Sequence, residues 1–194
     1  MSPAIAKTLF VLCVIAWYVI RLPYQRRARA TPVCRSARGL REKSLIVIAG
    51  AGLGIIPIIY ATSGLPRIAN RPFVPELAWV GAMVFAAALW LFHRTHHDLG
   101  CNWSPSLEVR ESHSLVTNGI YARIRHPMYG AFWLWAVAQA LLLPNWVGGL
   151  AGLGGFGALY FLRVGNEERL MLETFGEEYR RYMERTARLV PGLY

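Results

Sequence analysis

The sequence predicts an all-α integral membrane protein with five transmembrane helices, a C-terminal cytoplasmic cofactor-binding region and no Rossmann fold. Three observations carry this expectation. Of the 194 residues, 55% are hydrophobic and only 16% are charged, whereas a soluble domain carries about a quarter charged residues. The apolar residues gather into runs long enough to be membrane helices. The cations sit in blocks between those runs. The formal net charge of +10 therefore points to membrane topology and anionic lipid headgroups as partners. No nucleic-acid partner is expected, because there is no RNA-binding motif and the aromatic residues fall inside the apolar runs.

The first run, Leu9 to Ile20, is followed by Arg21, Pro23, Gln25, Arg26 and Arg27 rather than by a small-residue cleavage site. It reads as a retained transmembrane helix over about residues 3–22. Residues 21–43 hold Arg21, Arg26, Arg27, Arg29, Arg35, Arg38, Arg41 and Lys43 against one acid, Glu42. The positive-inside rule puts this stretch in the cytoplasm and the N-terminus outside. Leu45 to Thr62 is the second run, with Pro57 placed to kink it and Gly50, Gly52 and Gly54 placed for close helix approach. A short Pro-containing connector, 63–75, leads to the third run, Glu76 to Phe92.

Residues 93–126 are polar and precede two further runs, Met128 to Leu143 and Trp146 to Leu162, separated only by Pro144 and Asn145. Helices of that length measure about 25 Å, so the pair either stops short of the far surface or buries its turn. The last segment, 166–186, is amphipathic, with Gly176 placed to bend it. The chain thus divides into membrane helices 1–3 over residues 1–92 and a catalytic region over 93–194. The latter comprises helices 4 and 5 and the amphipathic helix, with both polar segments on the cytoplasmic side of the cell membrane.

The cysteines, Cys13, Cys34 and Cys101, are far apart and form no Cys-x-x-Cys pair, so neither a disulfide framework nor a zinc site is indicated. His93, His96 and His97 share a helix face, but no His-Glu-x-x-His is present and an interfacial helix end fits them better than a metal. Residues 107–121 read as irregular, with a turn at Asn118-Gly119.

Two clusters could carry chemistry. In Arg123-Ile124-Arg125-His126-Pro127-Met128-Tyr129-Gly130, Pro127 sets the start of the fourth membrane helix, and the free N–H groups there with Arg125 make an anion site. Arg163, Asn166, Glu167 and Glu168 close the fifth run. Arg163 and Glu167 are spaced i, i+4, and adjacent carboxylates at a membrane boundary call for water or a cation. An anion site beside carboxylates matches a small zwitterion.

Residues 113–130, HSLVTNGIYARIRHPMYG, followed by EERLMLETFGEEYRRY at 167–182, resemble the C-terminal region of the isoprenylcysteine carboxyl methyltransferase family. The resemblance covers about residues 93–194, and phospholipid N-methyltransferases belong to the same superfamily. It implies S-adenosylmethionine as cofactor and S-adenosylhomocysteine as product. It implies cofactor contacts at His113, Leu115, Val116, Gly119, Tyr121, Arg125, His126, Pro127, Tyr129, Glu167 and Glu168. Arg163 matches a family arginine near the reacting groups and would orient the acceptor carboxylate, with Glu167 beside it as the second catalytic candidate. The acceptor implied is lipophilic, an isoprenylcysteine carboxylate, entering sideways from the bilayer. Phospholipid amine methylation, an NADPH-dependent sterol-type reductase sharing a related C-terminal region, and a non-catalytic scaffold remain open alternatives. The oligomeric state is also open.

Overall fold

The computed structural model describes residues 1–29, 33–36, 39–100, 108–110 and 115–192. Helix α1 spans Pro3–Arg29. A helical stretch follows, with α2 at Leu40–Gly50, a π-helical turn at Ala51–Ile55 and α3 at Ile56–Ser63. Helix α4 spans Pro75–Leu99, α5 Pro127–Leu142, α6 Trp146–Phe175 and α7 Glu177–Arg185.

Among the described residues, four helices are long and apolar enough to cross a membrane: Pro3–Arg27, Leu40–Ser63, Pro75–Leu99 and Trp146–Phe175. The fifth expected helix, α5, is present but has only 16 residues, about 24 Å of rise. Its turn into α6 is buried, as the second of the two expectations had it. Leu143 and Asn145 are fully buried, and the turn's polar groups find partners inside the protein. The Asn145 side chain accepts from Gly148 N–H at 2.8 Å and so caps α6, while its Nδ2 donates to Pro66 O and Asn70 Oδ1 at 2.9 Å. Arg71 donates to the Ala140 and Leu143 carbonyls at the end of α5.

One short ladder accompanies the helices. Val33–Ser36 and Glu108–Arg110 pair as a short antiparallel ladder. It ties the segment after α1 to the segment after α4, so part of the region read as irregular is strand. The apolar runs also underestimate the helices, because interfacial residues continue them: α4 absorbs His93 to Asp98, and α6 runs unbroken through Arg163, Glu167 and Glu168. The amphipathic segment is therefore not one helix. Gly176 (φ +54°), a conformation that favours glycine, ends α6 and starts α7.

The irregularity near Pro57 is a π turn just before it. Proline cannot donate to the carbonyl one turn back and crowds it. The Gly52 carbonyl in the widened turn accepts from buried Gln139 Nε2 of α5 at 3.0 Å. Helices α2 and α6 touch along small residues: a Cβ on Gly155 would lie 2.7 Å from Ile48 O, and one on Gly52 would overlap Ala151 O. The core is aromatic. Phe10 of α1, Phe85 of α4 and Trp135 of α5 pack edge to face or tilted with centroids 5.3–5.8 Å apart.

Candidate active site

Pro127 is the first residue of α5, and His126 precedes it with non-helical backbone (φ −124°, ψ 58°). The residues before it do not hang free. Ile124 pairs in parallel with Ala187, and the ladder runs Ala187 N–H to Arg123 O (3.1 Å), Arg125 N–H to Ala187 O (2.8 Å) and His126 N–H to Arg188 O (3.1 Å). The chain after α7 thus straps the start of α5.

Beneath this strap lies Glu168, 5% exposed. Its Oε1 receives Arg125 Nε at 3.3 Å and His126 Nε2 at 3.2 Å, and its Oε2 receives Arg188 Nη2 at 2.5 Å. The Glu168 hydrogen bond also holds the Arg188 guanidinium above its ordinary basicity. Arg125 also donates through Nη1 to the Met183 and Thr186 carbonyls. Glu168 thus already supplies Arg125 with an anion from within the protein.

Glu167, one residue earlier and so about 100° around the helix, is placed differently. It accepts from the Tyr129 hydroxyl, and its Oε2 lies 3.8 Å from Arg163 Nε. Arg163 Nη2 lies 3.7 Å from Glu42 Oε1. Tyr129 stacks on His126 (centroids 5.4 Å, 20° between planes) and meets Tyr160 edge to face. Glu42 and Arg188 were not among the expected site residues. For Glu42 the signal was available, a lone acid within a block of cations; for Arg188 there was none.

Arg125, His126, Tyr129, Arg163 and Glu167 border a cavity of about 540 Å³, within the usual range of ligand pockets. Of the expected cofactor contacts, Leu115, Val116, Tyr121, Arg125, His126, Pro127, Tyr129 and Glu167 line it, as does Arg163. Gly119 and Glu168 do not, and His113 lies outside the described residues. Gly119 (φ +59°) instead sits against Asp98, whose Oδ2 accepts from Ile120 N–H at 2.9 Å and fixes the Gly119–Ala122 turn that presents Tyr121. Tyr179 and Tyr182 of α7 complete the polar end, with Tyr182 donating to Tyr121 O at 2.7 Å. Burial raises all three phenols, Tyr182 to about 12 and Tyr121 and Tyr179 higher. They are neutral donors at physiological pH, not bases.

The rest of the cavity is mostly apolar, with Arg21 and Gln25 of α1 also on its lining. Trp17 of α1, Leu53 of the π turn, Phe132 and Trp135 of α5 and Phe156 of α6 form its wall. The histidines of α4 stand apart from this arrangement. Buried His96 packs between Tyr24 and Phe92 with Nδ1 3.0 Å from Phe92 O, and exposed His97 lies on Asp98. Among the described residues no cluster of three or more His, Cys, Asp or Glu could hold a metal ion.

Residues 79–173 match the isoprenylcysteine carboxyl methyltransferase (ICMT) family. The chain is 31% identical over 122 residues to a protein-S-isoprenylcysteine O-methyltransferase of Dictyostelium discoideum, covering 61% of this chain and 51% of that protein. It is 34% identical over 85 residues to protein-S-isoprenylcysteine O-methyltransferase A of Arabidopsis thaliana (44% and 43% covered). It is 32% identical over 84 residues to the Homo sapiens enzyme (43% and 30% covered). The chain therefore spans about half or less of the length of these relatives. Its fold resembles the solved structure of a eukaryotic intramembrane Ras methyltransferase, ICMT, with a TM-score of 0.53 at 22% identity over 81% of this chain and 55% of that one. Residues 79–173 thus carry the chain's similarity to the isoprenylcysteine carboxyl methyltransferase family.

Proposed function

We propose that this chain is an S-adenosylmethionine-dependent O-methyltransferase that esterifies the carboxylate of a lipophilic, membrane-embedded acceptor of the isoprenylcysteine type. The observation that carries the reading is one cavity with two kinds of wall. Its polar end holds Tyr129, Arg163 and Glu167, and its apolar end is built from Trp17, Leu53, Trp135 and Phe156. Residues 93–194 supply most of the polar end and residues 1–92 much of the apolar wall.

The residues present fit the cofactor. Glu167 offers a carboxylate to an ammonium, the Tyr121, Tyr179 and Tyr182 rings offer flat apolar surfaces, and Arg163 keeps an Nε–H without a hydrogen-bond partner. When bound, S-adenosylmethionine supplies a methyl group activated by its sulfonium. The chain's task is then positioning and drying. Arg163 orients the acceptor carboxylate and balances its charge. Tyr129 fixes Glu167 in place. The apolar wall excludes water, which strengthens every charge contact inside. A carboxylate is already a nucleophile at neutral pH, so no general base is required, consistent with phenols that stay protonated.

Sideways entry of a lipid is supported by the helix arrangement. Helix α1 packs on α4 and α3 whereas α2 packs on α6, and the cavity draws its wall from both α1 (Val14, Trp17) and α2 (Ile46, Ala49). We take α5 as the fifth crossing, with the N-terminus outside and the site at the cytoplasmic face of the cell membrane, because the block of cations in 21–43 belongs inside. The reductase reading loses its motive. In that reading Arg123 and Arg125 would serve a phosphate, but Arg125 is engaged by Glu168 and exposed Arg123 does not line the cavity.

Calorimetry of the purified chain against S-adenosylhomocysteine and NADPH, beside a methyl-transfer assay with a prenylcysteine and with a phospholipid amine, tests the reading. Binding of S-adenosylhomocysteine and methylation of the prenylcysteine are expected. Binding of NADPH alone would overturn the proposal.

A further inference from the structure

Glu42 is the single acid among residues 21–43. Its neighbours Arg41 and Lys43 are exposed, yet Glu42 is only 8% exposed. It lies in the first turn of α2, where the positive end of the helix dipole favours an ionised carboxylate. A carboxylate withdrawn from water needs a paired cation, and Arg163 of α6 is one such cation.

The geometry of that pair is informative. Arg163 stands between two acids: Glu42 Oε1 is 3.7 Å from Nη2, and Glu167 Oε2 is 3.8 Å from Nε. Both are ion-pair distances beyond hydrogen-bond range. The two acids hold the guanidinium by charge, with the Tyr129 hydroxyl also beside it, and Nε–H is left without a hydrogen-bond partner. Glu167 shares α6 with Arg163 at i, i+4, so acting alone it would draw the guanidinium along its own helix. Glu42 comes from a different helix and pulls the far end across. Arg163 lines the cavity and Glu42 does not, so Glu42 acts through Arg163. It also lies outside the matched family region, 79–173.

We propose that Glu42 is a positioning residue: it anchors the Nη2 end of Arg163 on α2 and leaves the remaining N–H donors aimed at the acceptor carboxylate. This rests on the methyl-transfer reading above. It makes the first half of the chain part of the catalytic geometry and not only a membrane anchor.

The test compares full-length wild type, Glu42→Gln, Arg163→Lys and the double variant. Turnover with a prenylcysteine acceptor and affinity for S-adenosylhomocysteine are both measured. Glu42→Gln keeps the shape and removes the charge. It is expected to lower kcat about tenfold or more while affinity for S-adenosylhomocysteine stays within about twofold. The double variant is expected to be no slower than Arg163→Lys, because both changes disturb one unit. If Glu42→Gln does not fold, Glu42→Asp, which keeps the charge one methylene shorter, is read by the same two measurements. Turnover within about twofold of wild type, parallel loss of turnover and nucleotide affinity, or multiplicative effects in the double variant would each overturn the role of Glu42. A wild type that binds S-adenosylhomocysteine but methylates nothing would overturn the methyl-transfer reading itself, and the role of Glu42 with it.

Discussion

Arg188 reaches back twenty residues to Glu168, its Nη2 2.5 Å from Oε2 and its Nε 3.2 Å from Oε1. This contact, with the ladder between 123–126 and 187–188, closes the polar end of the protein. It explains why a carboxylate can be 5% exposed on a helix that carries apolar sequence for most of its length. Three cationic or donor groups converge on it, which is what a buried charge requires.

Removing Arg188 should therefore cost stability more than chemistry. Arg188→Ala leaves Arg125 and His126 on Glu168, and the Arg188 side chain is 45% exposed, so the loss is about 1–2 kcal/mol, between the values for exposed and buried pairs. Thermal unfolding in detergent should show a lower Tm with S-adenosylhomocysteine affinity little changed. An unaltered Tm would mean that the strap holds by its backbone alone.

The two neighbouring glutamates should separate by assay. Glu167→Gln faces the cavity and should weaken S-adenosylhomocysteine binding by roughly 1.5–3 kcal/mol, the value of a charge-assisted hydrogen bond, without lowering Tm much. Glu168→Gln leaves Arg125 and Arg188 without their common anion and should lower Tm first. Calorimetry and melting curves on both variants decide it. Equal effects on both readouts would erase the distinction drawn here.

Arg163→Lys should slow methyl transfer about a hundredfold while leaving cofactor binding nearly intact. Lysine keeps the charge but loses the planar fork, and a misdirected nucleophile forfeits the near-attack geometry. Near-normal turnover would reduce Arg163 to an anchor for α6. Loss of nucleotide binding would move it into the cofactor's own contacts.

The proposed orientation can be read in cells. After replacement of the native cysteines, a cysteine at Ile68, which is 98% exposed between α3 and α4, should react with an impermeant thiol reagent from outside. One at exposed Glu178 in α7 should react only after permeabilisation. The reverse pattern would invert the topology.

Much of this architecture is written locally. Apolar runs become helices because a helix satisfies its own backbone in lipid. Pro127 starts α5 and Gly176 ends α6 through their own backbone preferences. The i, i+4 spacing puts Arg163 beside Glu167 whatever surrounds them. What the sequence could not decide is which of two adjacent carboxylates faces the cavity. Glu167 and Glu168 differ by about 100° around one helix. The choice falls to contacts made over long sequence separations, with Tyr129 taking Glu167, and Arg125, His126 and Arg188 taking Glu168. The same holds for Arg125, read as an anion site and found paired with Glu168, and for Glu42, which meets Arg163 only because α2 packs against α6. Helix formation depends on neighbours a turn away. Burying a charge depends on which distant partner the packed chain brings within reach, and only the tertiary structure supplies that partner.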